Sequence, residues 1–158
     1  MKVVVDTNVI LSSLLGSLSS TPKKLLTAIQ RSHTLVVSLA MAAELGAVII
    51  RPKFSRLGTE KERVNDIQTL LSAPHIIAIV PTFTIVHPDL PDVDDNRLLE
   101  VAVAADADII VTGDKQLLAL NTISRPHTIE PDPPKSLLAT KTFILSPYDA
   151  LDYLKSPP

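Results

Sequence analysis

Three short apolar runs, KVVV at residues 2–5, LVV at 35–37 and DIIVT at 108–112, each stop abruptly at polar residues or glycine. Apolar at consecutive rather than alternating positions, they suit strands that are covered on both faces. The segments between them repeat apolar residues at helical spacing. Residues 9–15 read as a short helix after the polar turn Asp6-Thr7-Asn8, and Pro22 opens a second with Leu25, Leu26 and Ile29 on one face. Ser38 stands where it can cap a third, whose stripe of Leu45, Val48 and Ile49 ends at Pro52. Thr59-x-x-Glu62 forms a capping box ahead of Val64, Ile67, Leu70 and Leu71.

Later in the chain, 76–80 and 83–86 are apolar runs split by Pro81, and 89–95 is an acidic turn. Residues 97–105 are apolar nearly all round and too rich in alanine for a strand, which predicts a buried helix that begins after the acids. A short helix to residue 120, a last strand at 142–145 and a terminal helix from Pro147 complete the pattern. Residues 121–134 hold four prolines without periodicity and read as a Pro-rich surface loop. This alternation predicts a three-layer α/β/α fold around a mostly parallel central sheet. With no internal repeat and no linker, residues 1–158 are expected to form one domain.

Aromatic residues make up only 3% of the chain, so its core must be aliphatic. The absence of cysteine excludes disulfides, zinc fingers and thiol nucleophiles together and suits a reducing, cytoplasmic setting. Asp6 and Asn8 interrupt the opening MKVVV, which therefore reads as a strand and not as a leader. No run approaches the roughly 18 apolar residues that a membrane span needs. A net charge of −2 means that any attraction to nucleic acid must come from local cations or bound metal.

Acidic residues fall where such a fold builds its ligand sites, at the carboxyl ends of the strands. Asp6 follows the first run, Asp92, Asp94 and Asp95 precede the helix at 97–105, and Asp114 follows DIIVTG. Glu44 lies in the second turn of the helix after LVVS, beside its apolar stripe. Carboxylates brought together repel one another, and a hard divalent cation such as Mg²⁺ or Mn²⁺ relieves the conflict. A cation so held can activate water for attack on phosphorus. Taken singly, Asp6, Asp94, Asp95 and Asp114 are explained equally well as helix N-caps worth about 1 kcal/mol each. Glu44 taken alone reads as a helix-flank carboxylate, with Arg51 or Lys53 as its candidate partner. His33, His75, His87 and His127 lack ligand spacing and read as structural or solvated. The basic stretch of Arg51, Lys53, Arg56, Lys61 and Arg63 reads first as a solvated face, and Arg51, Lys53 and Arg56 are its candidates for phosphate contacts.

Four segments, VVVDTNVILSSLL, SLAMAAELGAVIIRPKF, DVDDNRLLEVAVAADADIIVTGDKQLLAL and ILSPYDALDYL, resemble the PIN-domain family. They are most similar to its toxin components of bacterial and archaeal toxin–antitoxin systems, the VapC-like ribonucleases. The resemblance implies a Mg²⁺- or Mn²⁺-dependent endoribonuclease acting on single-stranded RNA, a homodimer, and an antitoxin protein as partner. It assigns Asp6, Glu44, Asp95 and Asp114 as the catalytic and metal-holding acids, supported by Asn8 and Thr112. The family spacing counted back from Asp114 lands on Asn96, so Asn96 and Asp92 stand beside Asp95 as alternatives for the third position.

Two other readings compete. A phosphatase of the haloacid-dehalogenase kind would use Asp6 as nucleophile but wants an acid where Asn8 stands, and an amide cannot protonate a leaving group. A binding or regulatory PIN domain of little catalytic power would keep the fold alone.

Overall fold

The computed structural model describes residues 1–82, 84–85, 87, 90, 93–124 and 141–155. Strand β1 (Lys2–Val5) leads into α1 (Thr7–Leu15) and α2 (Thr21–Ser32), then β2 (Thr34–Ser38), α3 (Leu39–Ile49) and a 3₁₀ turn over Pro52–Leu57. There follow α4 (Glu60–Leu71), β3 (Ile76–Ile79), α5 (Val93–Ala105), β4 (Ile109–Val111) and α6 (Lys115–Leu120). Finally come β5 (Thr122–Ser124), β6 (Lys141–Leu145) and α7 (Pro147–Lys155).

The sheet runs β3-β2-β1-β4-β6-β5, parallel throughout except for the last pair. Its apolar runs are continuous because both faces are covered. Val3, Val5, Leu35, Val37, Ile109 and Val111 pack on one side beneath α1, α2, α3, α4 and α7. The alternating residues Val4, Val36 and Ile110 pack on the other against Leu99, Val101, Ala102 and Leu117 of α5 and α6. The expected three-layer architecture is therefore present.

Local signals act as the sequence predicts at several ends. Ser38 Oγ accepts from the Met41 amide at the start of α3. Thr59 and Glu62 form a reciprocal capping box, and the hydrogen bonds from Thr59 hold the Glu62 carboxyl below its usual range. Asp106 adopts a left-handed φ of 52° where α5 ends, a conformation that a short polar side chain tolerates.

Three expectations need correction. The α5 helix opens at Val93, ahead of the predicted 97, so Asp95 lies inside its first turn. The stretch from 121 begins with a strand: Thr122–Ser124 pairs antiparallel with β6, a short polar edge element without hydrophobic periodicity to announce it. Its Pro-rich remainder at 125–134, His127 and Asp92 lie outside the described residues. Arg63 is the third. It is buried, not part of a solvated basic face. Its guanidinium donates to Arg51 O at 3.0 Å, Ile50 O at 3.4 Å and Thr59 O at 3.4 Å. Two of these carbonyls close the C-terminal end of α3, where a cation is favoured by the helix dipole.

His33 and His75 stand just before β2 and β3, at the amino ends of the strands. Burial, reinforced by the chain's terminal ammonium, holds His33 below its ordinary pKa.

Arg63→Ala should lower the unfolding free energy by roughly 2–3 kcal/mol, since it leaves carbonyls at the α3–α4 junction without a donor. Arg63→Lys should recover less than half of the loss in urea denaturation. Equal stability of wild type and Arg63→Ala would contradict this role.

Candidate active site

At the carboxyl ends of β1 and β4 the sheet pairing continues one residue beyond the strands. The Asp6 amide donates to Val111 O at 2.9 Å. The buried Thr112 hydroxyl then donates to Asp6 Oδ2 at 2.8 Å and accepts from the Asp114 amide at 3.0 Å. One side chain thus fixes the two aspartates relative to each other. Asp6 Oδ1 accepts from the Asn8 amide at 2.8 Å, and Asp114 Oδ1 accepts from Gln116 and Leu117 amides at 2.7 and 3.2 Å. Both are N-caps, of α1 and α6 respectively. Capping does not exhaust them: each carboxylate oxygen can accept more than one bond, and Asp114 Oδ2 accepts none among the described residues.

Asp6 and Asp114 border an open cleft of about 710 Å³, which Asn8, Glu44 and Asp95 also line. The four predicted acids therefore meet on one cavity, from four separate chain segments. Glu44 is exposed and has no ion pair with Arg51 or Lys53 among the described residues, so the expected pairing does not occur. The four acids do not meet at one point. Among the described residues no three of His, Asp or Glu stand close enough to share an ion directly. The physical reason is visible in Asp6 and Asp114, whose carboxylates are drawn toward the amides of their own helices.

The third position separates clearly along α5. Adjacent helical residues differ by roughly 100° in direction, and Asp95 and Asn96 accordingly meet different surroundings. Asp95 lines the cleft. Asn96 is buried; its Oδ1 accepts from the His87 amide at 2.8 Å and its Nδ2 donates to Leu90 O at 3.2 Å. It ties His87 and Leu90 to α5.

Among the cleft residues that the sequence does not assign to the site are Ser38, read there only as a helix cap, Arg97 and Glu100. Glu100 accepts from the Ile85 amide at 2.8 Å. A single carboxylate inside the apolar LLEVAVAA run is the signal that could have found it. Arg51, Lys53 and Arg56, by contrast, do not line the cleft. Arg56 donates to Leu15 O at 3.3 Å, and Lys53 Nζ lies 5.0 Å from the Phe54 ring centroid.

Residues 2–116 match the family model of the PIN domain. The chain belongs to the PIN-domain family. PIN domains are generally nucleases and generally use divalent metals. Over 152 residues this PIN domain is 30% identical to the uncharacterized protein MJ1680 of Methanocaldococcus jannaschii, an alignment spanning 91% of this chain and 94% of that one. Among solved structures it is similar to VapBC2 from Rickettsia felis bound to a DNA fragment from their promoter. That likeness has a TM-score of 0.47 and 19% identity, and covers 72% of this chain and 89% of the other.

The donor set of this PIN domain suits a hard cation, since every candidate ligand is oxygen. Mg²⁺ commonly takes one or two carboxylates directly and keeps several waters. Acids spread around a cleft can therefore serve it, some directly and others through water.

Thr112→Val preserves side-chain shape but removes the bridge between Asp6 and Asp114. It should cost about 2 kcal/mol of stability, read by urea denaturation, with Thr112→Ser close to wild type. A fully stable Thr112→Val would show that the bridge does not hold the two acids.

Proposed function

We propose that this PIN domain is a Mg²⁺- or Mn²⁺-dependent endoribonuclease that hydrolyses phosphodiester bonds of single-stranded RNA. One observation carries the reading: Asp6, Glu44, Asp95 and Asp114 line a single cleft at the carboxyl ends of a parallel sheet. These four would hold the cation. Once bound, it supplies activation of water for attack on phosphorus and relief of charge on the departing oxygen.

The chain's own groups do the positioning. Donors from Thr112 and the Asn8 amide occupy one lone pair on each Asp6 oxygen and keep that carboxylate oriented. Arg97, a cationic side chain lining the acidic cavity, is suited to a substrate phosphate. In a chain of net charge −2, this local cation and the bound metal must supply the attraction for RNA. Arg51, Lys53 and Arg56 could extend the contact only along a strand that continues beyond the cleft. Asn8 also favours diester hydrolysis over the phosphatase chemistry, because its amide cannot act as the missing acid.

The motif resemblance supports a role as the toxin of a toxin–antitoxin pair, acting as a homodimer and restrained by an antitoxin protein. Among the described residues no helix is long and apolar enough to cross a membrane.

Asp6→Asn should reduce Mn²⁺-dependent cleavage of single-stranded RNA at least 100-fold while preserving the fold, because asparagine caps a helix as well as aspartate does. Retained cleavage would overturn the assignment. Millimolar Mn²⁺ should raise the melting temperature of the wild type by a few degrees, as a ligand of the native state does, and that of Asp6→Asn by less. A wild-type melting curve indifferent to metal would count against the site.

A further inference from the structure

Among the described residues, a second hollow reaches carboxylates of the acidic cleft. Asp6, Asn8 and Asp114 also border this depression of about 380 Å³, completed by residues that include Ser12, Gly113 and Pro147. These three residues, Asp6, Asn8 and Asp114, are shared by the linings of both hollows. Glu44, Asp95, Arg97 and Glu100 line only the larger one. Apart from the shared aspartates, the smaller hollow has neutral walls.

This division has a chemical consequence for a polymer. A phosphodiester held at the shared residues has a flanking nucleotide at each end, and each needs room. The smaller volume falls within the roughly 300–1,000 Å³ of small-molecule sites. Its Asn8 and Ser12 groups and apolar Pro147 suit a ribose and a base better than a second phosphate. At Gly113 a Cβ would meet nothing within 4 Å, so the hollow stays open beside Asp114. Pro147 begins α7, and Tyr148, the next residue in the chain though not itself part of the lining, is 69% exposed in a chain with only two tyrosines and three phenylalanines. Exposed aromatics are the usual stacking surfaces for unpaired bases.

We propose that the smaller hollow is a nucleotide subsite. It holds the ribose and base that flank the scissile phosphodiester on one side, and Tyr148 stacks on that base. The proposal rests on the ribonuclease reading and adds to it where the strand leaves the acids.

The test uses the full chain with Mn²⁺ and a fluorescent single-stranded phosphorothioate hexanucleotide, which resists hydrolysis. Gly113→Trp fills the open space beside Asp114, and Tyr148→Ala removes the stacking ring. Each should weaken hexanucleotide binding about tenfold by anisotropy, with Mn²⁺ affinity by calorimetry within twofold of wild type. Tyr148→Phe should bind as wild type does. Hexanucleotide binding unchanged in both variants, while the wild type cleaves ordinary RNA, overturns the subsite and leaves the ribonuclease reading intact. Equal losses of Mn²⁺ and hexanucleotide affinity in Gly113→Trp also overturn it, since the hollow then belongs to the metal site. Tyr148→Ala that changes oligomeric mass in light scattering but not hexanucleotide affinity makes the ring a protein contact and overturns its role. A wild type that cleaves no RNA with Mn²⁺ overturns both readings together.

Discussion

Parallel pairing of β1 with β4, carried past the strand ends by the Asp6 amide and the Thr112 hydroxyl, is the interaction on which the site depends. Val5 faces Val111 in the last paired register of the two strands. The next residue on each strand turns from core packing to polar contact. Because Thr112 is fully buried and bonded on both sides, Asp6 and Asp114 have little freedom to separate. β2 lies against the other edge of β1, which brings Ser38 and then Glu44 on α3 toward the same end. Packing of α5 across the opposite face supplies Asp95.

Helix capping and metal holding compete as explanations for the aspartates in the sequence, but at Asp6 and Asp114 the one does not preclude the other. Asp6 and Asp114 cap their helices through particular oxygens and still border the cleft. Capping also keeps their carboxylates from closing on a common point. That geometry suits a cation which retains part of its water shell better than one fully wrapped by protein.

Much of this organisation was legible in the sequence because it is set by local rules. Uninterrupted VVV, LVV and IIV runs announced strands covered on both faces, and the acids that stop or follow them announced the ligand end of the sheet. Other features depend on tertiary contacts that leave no periodic trace. Arg63 looks like one more surface cation, yet the open carbonyls after α3 draw it inside. Strand β5 is three residues, two of them polar, recruited by the free edge of β6. Asp95 and Asn96 are adjacent and similar in chemistry, and only the helix's true start at Val93 decides which faces the cleft. Glu100 was hidden because its apolar neighbours dominate the pattern around it.

The central claim is that four separate segments present their carboxylates to one divalent cation. Paramagnetic broadening of backbone amide signals by substoichiometric Mn²⁺ tests it most directly. The account predicts that signals of Thr7, Asn8, Glu44, Asp95 and Lys115 fade together, at metal levels that leave those of Asp66 on α4 and Asp152 on α7 intact. Broadening spread evenly over the exposed acids, or confined to one of the four segments, would contradict it.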